Sequence, residues 1–130
     1  MLKGNRISDS GTADLYIDGG TKVAILDNYL LSATPINIAS YPTTLIIKRN
    51  VGYATENSGT ATFSGDGSTA QFSIAHGLVS EPSKVQVTPM TEDAAGDFYV
   101  TKDSTNIYVN YLSAPPSGSN NVKLSWYAEV

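Results

Sequence analysis

The chain contains no cysteine. Disulfides, thiolate metal sites and cysteine nucleophiles are therefore excluded, while the redox compartment stays open. Charge is also scarce. Asp, Glu, Lys and Arg make up 15% of the 130 residues, against about 25% in an average soluble domain. Ser, Thr, Asn and Gly fill the difference. Such a surface loses little ionic hydration on contact, which favours assembly and also fits an extracellular domain. Net charge is −4, and of the eight cations only Lys48 and Arg49 are adjacent. No basic stripe is present to release counterions from phosphates, so nucleic acid is not an expected partner. A basic membrane-surface helix is missing for the same reason. No apolar run approaches the roughly 18 residues of a membrane span, so no membrane insertion is expected. Met1-Leu2-Lys3-Gly4-Asn5-Arg6 has no apolar stretch behind its charges, unlike a secretory signal. The expectation is a soluble chain made in the cytoplasm.

A helical period is missing too. What the chain has instead is period-2 alternation, clearest after Gly59. Phe72 and Ile74 share one face, as do Val85 and Val87, Phe98 and Val100, Ile107, Val109 and Tyr111, and Val122, Leu124, Trp126 and Ala128. Alternating β-branched and aromatic residues predict half-buried strands. Turn clusters separate them, among them Gly65-Asp66-Gly67-Ser68, Ser80-Glu81-Pro82-Ser83 and Pro115-Pro116-Ser117-Gly118. A strand every 8–12 residues or so predicts a sandwich or barrel.

The first 58 residues are less regular. Leu15 to Ile17 and Val23 to Ile25 flank Asp18-Gly19-Gly20, which predicts a hairpin. Thr44 to Lys48 predicts another strand. We read residues 1–58 as an N-terminal arm or small β subdomain, and 59–130 as the main module. The alternative is that the early strands complete the same sandwich. Gly11-Thr12-Ala13 with Asp18-Gly19 and Thr21 is echoed at one fixed offset by Gly59-Thr60-Ala61 with Asp66-Gly67 and Thr69. Two hairpins using the same turn chemistry, or one duplicated hairpin, account for the echo.

Residues that carry chemistry are few. His76 is the single histidine. A zinc site would need carboxylates beside it, and the expected role is a turn histidine bonded to backbone. Glu92, Asp93 and Asp97 share one loop without the spacing of an EF-hand. Asp66 is expected to form a turn, since no lysine or helix follows it to complete a phosphate cradle. We expect no catalysis, no cofactor and no metal. The tyrosines are more informative. If Phe98, Val100, Ile107, Val109, Leu124 and Trp126 face the core, pleating turns Tyr99, Tyr108 and Tyr127 outward. Three outward tyrosines form a candidate contact patch for self-association or for sugars.

Residues 59–130 resemble a module of virion proteins of tailed phages and archaeal viruses, found in tail-fibre tips, turret-like proteins and capsid decoration proteins. Four stretches carry the resemblance. They are Ser64-Gly65-Asp66-Gly67-Ser68-Thr69 with Phe72 and Ile74, Ala75-His76-Gly77-Leu78, Pro82 with Val85-Gln86-Val87-Thr88-Pro89, and Ala114-Pro115-Pro116-Ser117-Gly118 with Asn121-Val122 and Trp126. The resemblance implies a β-sandwich or jelly-roll-like module, and with the N-terminal arm or hairpin read from residues 1–58, which the resemblance does not cover, the expected fold is all-β. It implies a homotrimer or other homo-oligomer on the outside of a virion, with no catalytic residues. The short chain leaves no room for a fibre shaft and directs the expectation to a capsid decoration or auxiliary protein, bridging copies of itself and a major capsid or other virion protein. The alternative is a tail-fibre or adhesin tip that binds host glycans. The expected interface comprises Tyr99, Tyr108 and Tyr127 together with Ile7, Leu15 and Ile17 of the arm.

Overall fold

The computed structural model describes residues 1–3, 6–7 and 14–130, residues 6–7 by their backbone alone. Every regular element among them is a strand. The chain divides into two compact units, Met1–Thr55 and Glu56–Val130.

The first unit is a parallel coil. Its strands are β1 (Leu2–Lys3), β2 (Arg6–Ile7), β3 (Leu15–Asp18), β4 (Lys22–Leu26), β5 (Tyr29–Leu30), β6 (Ile36–Ser40) and β7 (Thr44–Lys48). β1, β4 and β7 stack in parallel on one side, β3 and β6 on a second, and β2 and β5 on a third, where Val51 bridges Tyr29. Partners lie 21 to 23 positions apart, as in Leu15↔Ile36, Lys22↔Thr44 and Leu2↔Ile25. The chain thus winds through two turns and starts a third, each turn hydrogen-bonding to the next. Stacking puts like on like. Leu15 lies over Ile36, Ile17 over Ile38, Val23 over Leu45 and Ile25 over Ile47. These side chains fill the coil together with Leu30 and Tyr53.

One expectation is corrected here. Asp18-Gly19-Gly20 is not a hairpin turn, because β3 and β4 do not pair with each other. Both glycines have positive φ, and they turn a corner between two sides of the coil. Among the described residues the early strands pair only with one another.

The corner after β4 recurs after β7. Asp27 and Arg49 stand at equivalent positions with φ of 56° and 54°. Outside, Arg49 clasps Asp27 through Nε–Oδ1 at 2.6 Å and Nη2–Oδ2 at 3.1 Å. The Arg49 hydrogen bond holds the Asp27 carboxyl below the usual range. Inside, Asn28 and Asn50 are buried. Asn50 Oδ1 accepts from the Asn28 amide N–H and from Asn28 Nδ2, both at 3.0 Å. Asn50 Nδ2 donates to the carbonyls of Ile25 and Lys48, and Asn28 Nδ2 donates to that of Leu2. The asparagines satisfy backbone groups that the corner removes from the ladder. Gly52 follows, with φ +87°, where a Cβ would collide with the Leu30 carbonyl oxygen.

The second unit is a sandwich of two antiparallel sheets. One orders β10 (Lys84–Pro89), β13 (Val122–Glu129) and β8 (Glu56–Phe63); the other orders β11 (Phe98–Lys102), β12 (Asn106–Tyr111) and β9 (Gln71–Ala75). Alternation is kept in β9 to β13, whereas β8 is exposed from Asn57 to Thr60. Phe72, Ile74, Ile107, Val109, Tyr111, Val122, Leu124, Trp126 and Ala128 are buried between the sheets. Phe63 of one sheet meets Phe72 of the other at a centroid distance of 4.9 Å, and Tyr111 packs edge-on against Phe72 and Phe98. β8 and β9 lie in different sheets, so Asp66-Gly67 carries the chain across the sandwich and closes no hairpin. The echo between the two halves therefore joins unlike structures, and its residues 11–13 lie outside the described residues.

Candidate functional site

His76, Asp66 and Asp103 are each committed to loop hydrogen bonds. His76 is fully buried. Its Nδ1 accepts from the Leu78 amide at 3.0 Å, and its Nε2 lies 3.1 Å from the Asp103 carbonyl oxygen. Nδ1 must be bare to accept, so Nε2 carries the proton and donates it. The backbone of His76 is held as well, its amide by Thr105 and its carbonyl by Asn57 Nδ2. The ring is a buried pin joining the 76–78 turn to the 103–106 turn. Asp103 in turn accepts from the Thr105 and Asn106 amides and from the Tyr108 hydroxyl, which together lower its pKa.

Asp66 is spent on its own turn. Its carboxylate accepts from Thr69 Oγ1 and Thr69 N at 2.6 Å and from Ser68 N at 2.8 Å, and these bonds lower its pKa to about 2. Two stretches far apart in sequence latch together beside it. Gly67 N donates to Pro115 O, Gly118 N to Gly65 O, and Gly65 N to Asn121 Oδ1. Asn121 Nδ2 donates to Asp93 Oδ2 and Pro116 O, so a single amide ties three loops. A Cβ on Gly65 would collide with the Pro116 carbonyl. Among the described residues no three His, Asp or Glu side chains converge as a metal site.

The outward face of β9, β12 and β11 is of another kind. It presents Gln71, Ser73 and Ala75, then Asn106, Tyr108 and Asn110, then Tyr99 and Thr101, with no charged side chain among them. Tyr99 is 58% exposed and lies opposite Asn110, while Tyr108 lies opposite Thr101. The two tyrosines are thus diagonal neighbours, about 7–8 Å apart along the backbone. Gln71 Nε2 donates to Asn110 Oδ1 at 2.7 Å, and Asn110 Nδ2 donates to Thr101 Oγ1 at 3.1 Å. This row fixes planar amides beside an exposed ring. Such a face can stack an uncharged polar ring and hydrogen-bond its hydroxyls, or dock a protein surface at little desolvation cost.

The expected interface residues do not form one site. Tyr99 and Tyr108 share the face just described. Tyr127 lies on β13, on the outward face of the other sheet, between Gln86 and Ser58. Its hydroxyl donates to Glu129 Oε2 at 2.7 Å, which raises its pKa. The sheets pack through their inner faces, so Tyr127 points away from the other two. Leu15 and Ile17 point into the coil, Ile17 being 7% exposed. They are core residues because the side chains stacked on them, Ile36 and Ile38, need the same dry interior. The side chain of Ile7 lies outside the described residues. What sequence reasoning missed was the Asn28–Asn50 ladder. Its signal is present, since Asn5, Asn28 and Asn50 recur at the coil period, although Asn5 lies outside the described residues.

A comparison with solved structures finds the crystal structure of the tailspike protein gp49 from Pseudomonas phage LKA1. Identity is 14% and the TM-score is 0.49, covering 96% of this chain and 27% of that one. No family model and no curated protein matches the sequence.

Proposed function

We propose that the chain is a non-catalytic structural protein of a virus particle that works as an assembly of copies through uncharged β surfaces. The observation that carries this reading is the division of labour among polar side chains. His76, Asp66, Asp103 and Asn121 are committed to turns, while the outward strand positions around Tyr99 carry no charged residue and are braced by amides, the Asp103 carboxylate meeting only the Tyr108 hydroxyl at one end. The residues on which the resemblance to virion proteins rests fall among those turns and the core.

Two placements on the particle compete. Capsid decoration drew its support from a compact module with an extended contact arm. The first 55 residues form a coil with its own core, which weakens that support. A fibre or spike tip that meets host-surface glycans is favoured by the row Gln71–Asn110–Thr101 beside Tyr99. Retention of the purified chain on host-surface polysaccharide and on purified capsids separates the two. The tip reading expects retention on polysaccharide, weakened at least about tenfold, or 1.4 kcal/mol, in Tyr99→Ala. Retention on capsids alone would restore decoration. Hydrolysis of the polysaccharide by the purified chain would overturn both.

A further inference from the structure

We infer that the free edge of β8 is the surface through which two copies of this chain join, strand to strand and antiparallel, so that two three-stranded sheets become one of six. The inference rests on the self-assembly reading above and adds where the contact lies.

β8 pairs with β13 over all eight of its residues, Glu56 to Phe63, without a register shift. Its other edge pairs with nothing among the described residues. Native sheets guard such edges with lysine, proline, bulges or short length, because unpaired N–H and C=O groups recruit other strands. The remaining edges of the sandwich are guarded or shorter. β10 carries exposed Lys84 and ends on Pro89, β11 ends on Lys102, which pairs with Glu81, and β9, at five residues against eight, offers a shorter edge than β8. β8 has none of these devices from Asn57 to Phe63. Its Ser58, Gly59, Thr60 and Thr62 are exposed.

Ser83 N donates to Glu129 O and Met90 N to Lys123 O, so the odd-numbered residues of β13 turn their backbone groups to β10 and the even-numbered ones to Asn57, Gly59, Ala61 and Phe63 of β8. The Ser58 N–H points the other way, where Asn57 Oδ1 accepts it at 2.9 Å, a bond that a joining strand replaces. By the period of two, the Thr60 and Thr62 amides point away from β13 as well. An antiparallel copy related by a twofold axis at Thr60 sets Thr60 against Thr60, Ser58 against Thr62 and Gly59 against Ala61. All are small, none is charged, and hydroxyl pairs across strands are favourable. A strand that is self-complementary about its own centre suits an isologous contact.

The absence of cysteine makes the test direct. Thr60→Cys places two thiols on the axis, at a Cα separation of about 5.5 Å, inside the range a disulfide spans. Mild oxidation is expected to cross-link Thr60→Cys into a covalent dimer much faster than Thr88→Cys on the opposite edge strand. Thr60→Pro removes the outward N–H while sparing the β13 ladder. It is expected to lower the solution mass while Trp126 emission stays that of the folded sandwich. If Thr60→Pro unfolds, the cross-linking comparison still decides. Equal cross-linking at both positions, with wild-type mass retained in folded Thr60→Pro, overturns the β8 edge and leaves self-assembly standing. A wild-type chain that is monomeric at every concentration overturns both.

Discussion

His76 has both ring nitrogens committed to backbone, so its truncation leaves a cavity, an unpaired Leu78 N–H and an unpaired Asp103 carbonyl. His76→Ala is expected to cost about 2–5 kcal/mol in urea unfolding followed by Trp126 fluorescence. A change below about 0.5 kcal/mol would mean that the ring holds nothing. Trp126 lies in the sandwich core opposite Gly59, and Trp126→Ala is expected to cost about 3–5 kcal/mol, read by circular dichroism. Asp66 gives a pH signature. Its pKa falls from 3.8 to about 2 on folding, so its contribution is complete above about pH 4 and is lost as pH drops toward 2. Asp66→Ala is therefore expected to melt below wild type at pH 6 and to converge with it near pH 2. Parallel curves over that range would contradict the turn's dependence on the ionised carboxylate.

At the scale of elements, the sandwich strands were legible in the sequence and the coil was not. Strands β9 to β13 alternate cleanly and are bounded by Gly, Pro and Asp turns. Each pleat therefore announces its buried side, and the outward directions of Tyr99, Tyr108 and Tyr127 follow. Which sheet each strand joins is a long-range matter, and that is why Tyr127 separates from the other two. In the coil, each strand pairs in parallel with one a whole turn away, so no local turn marks the pairing. Asp18-Gly19-Gly20 has the composition of a hairpin turn and serves as a corner, because positive φ is what both require. The asparagine spacing was the readable clue. Asn50 supports two carbonyls and two donors of Asn28, so Asn50→Ala is expected to destabilise the coil by about 2–4 kcal/mol. Circular dichroism should lose that part of its transition at lower urea, while the Trp126 fluorescence midpoint stays in place. Coincident shifts of both probes would show that the two units unfold as one.

At the scale of the molecule, a coil and a sandwich with separate cores carry surfaces low in charge and rich in hydroxyl and amide groups. Asp66, His76, Asp103 and Asn121 hold turns of the sandwich, and the proposed work of the surface is contact. The most direct measurement is the solution mass of the full chain by light scattering over a hundredfold range of concentration. The account predicts a whole-number multiple of the 13.8 kDa protomer, two or more, in the upper part of that range. A mass of one protomer throughout would contradict it.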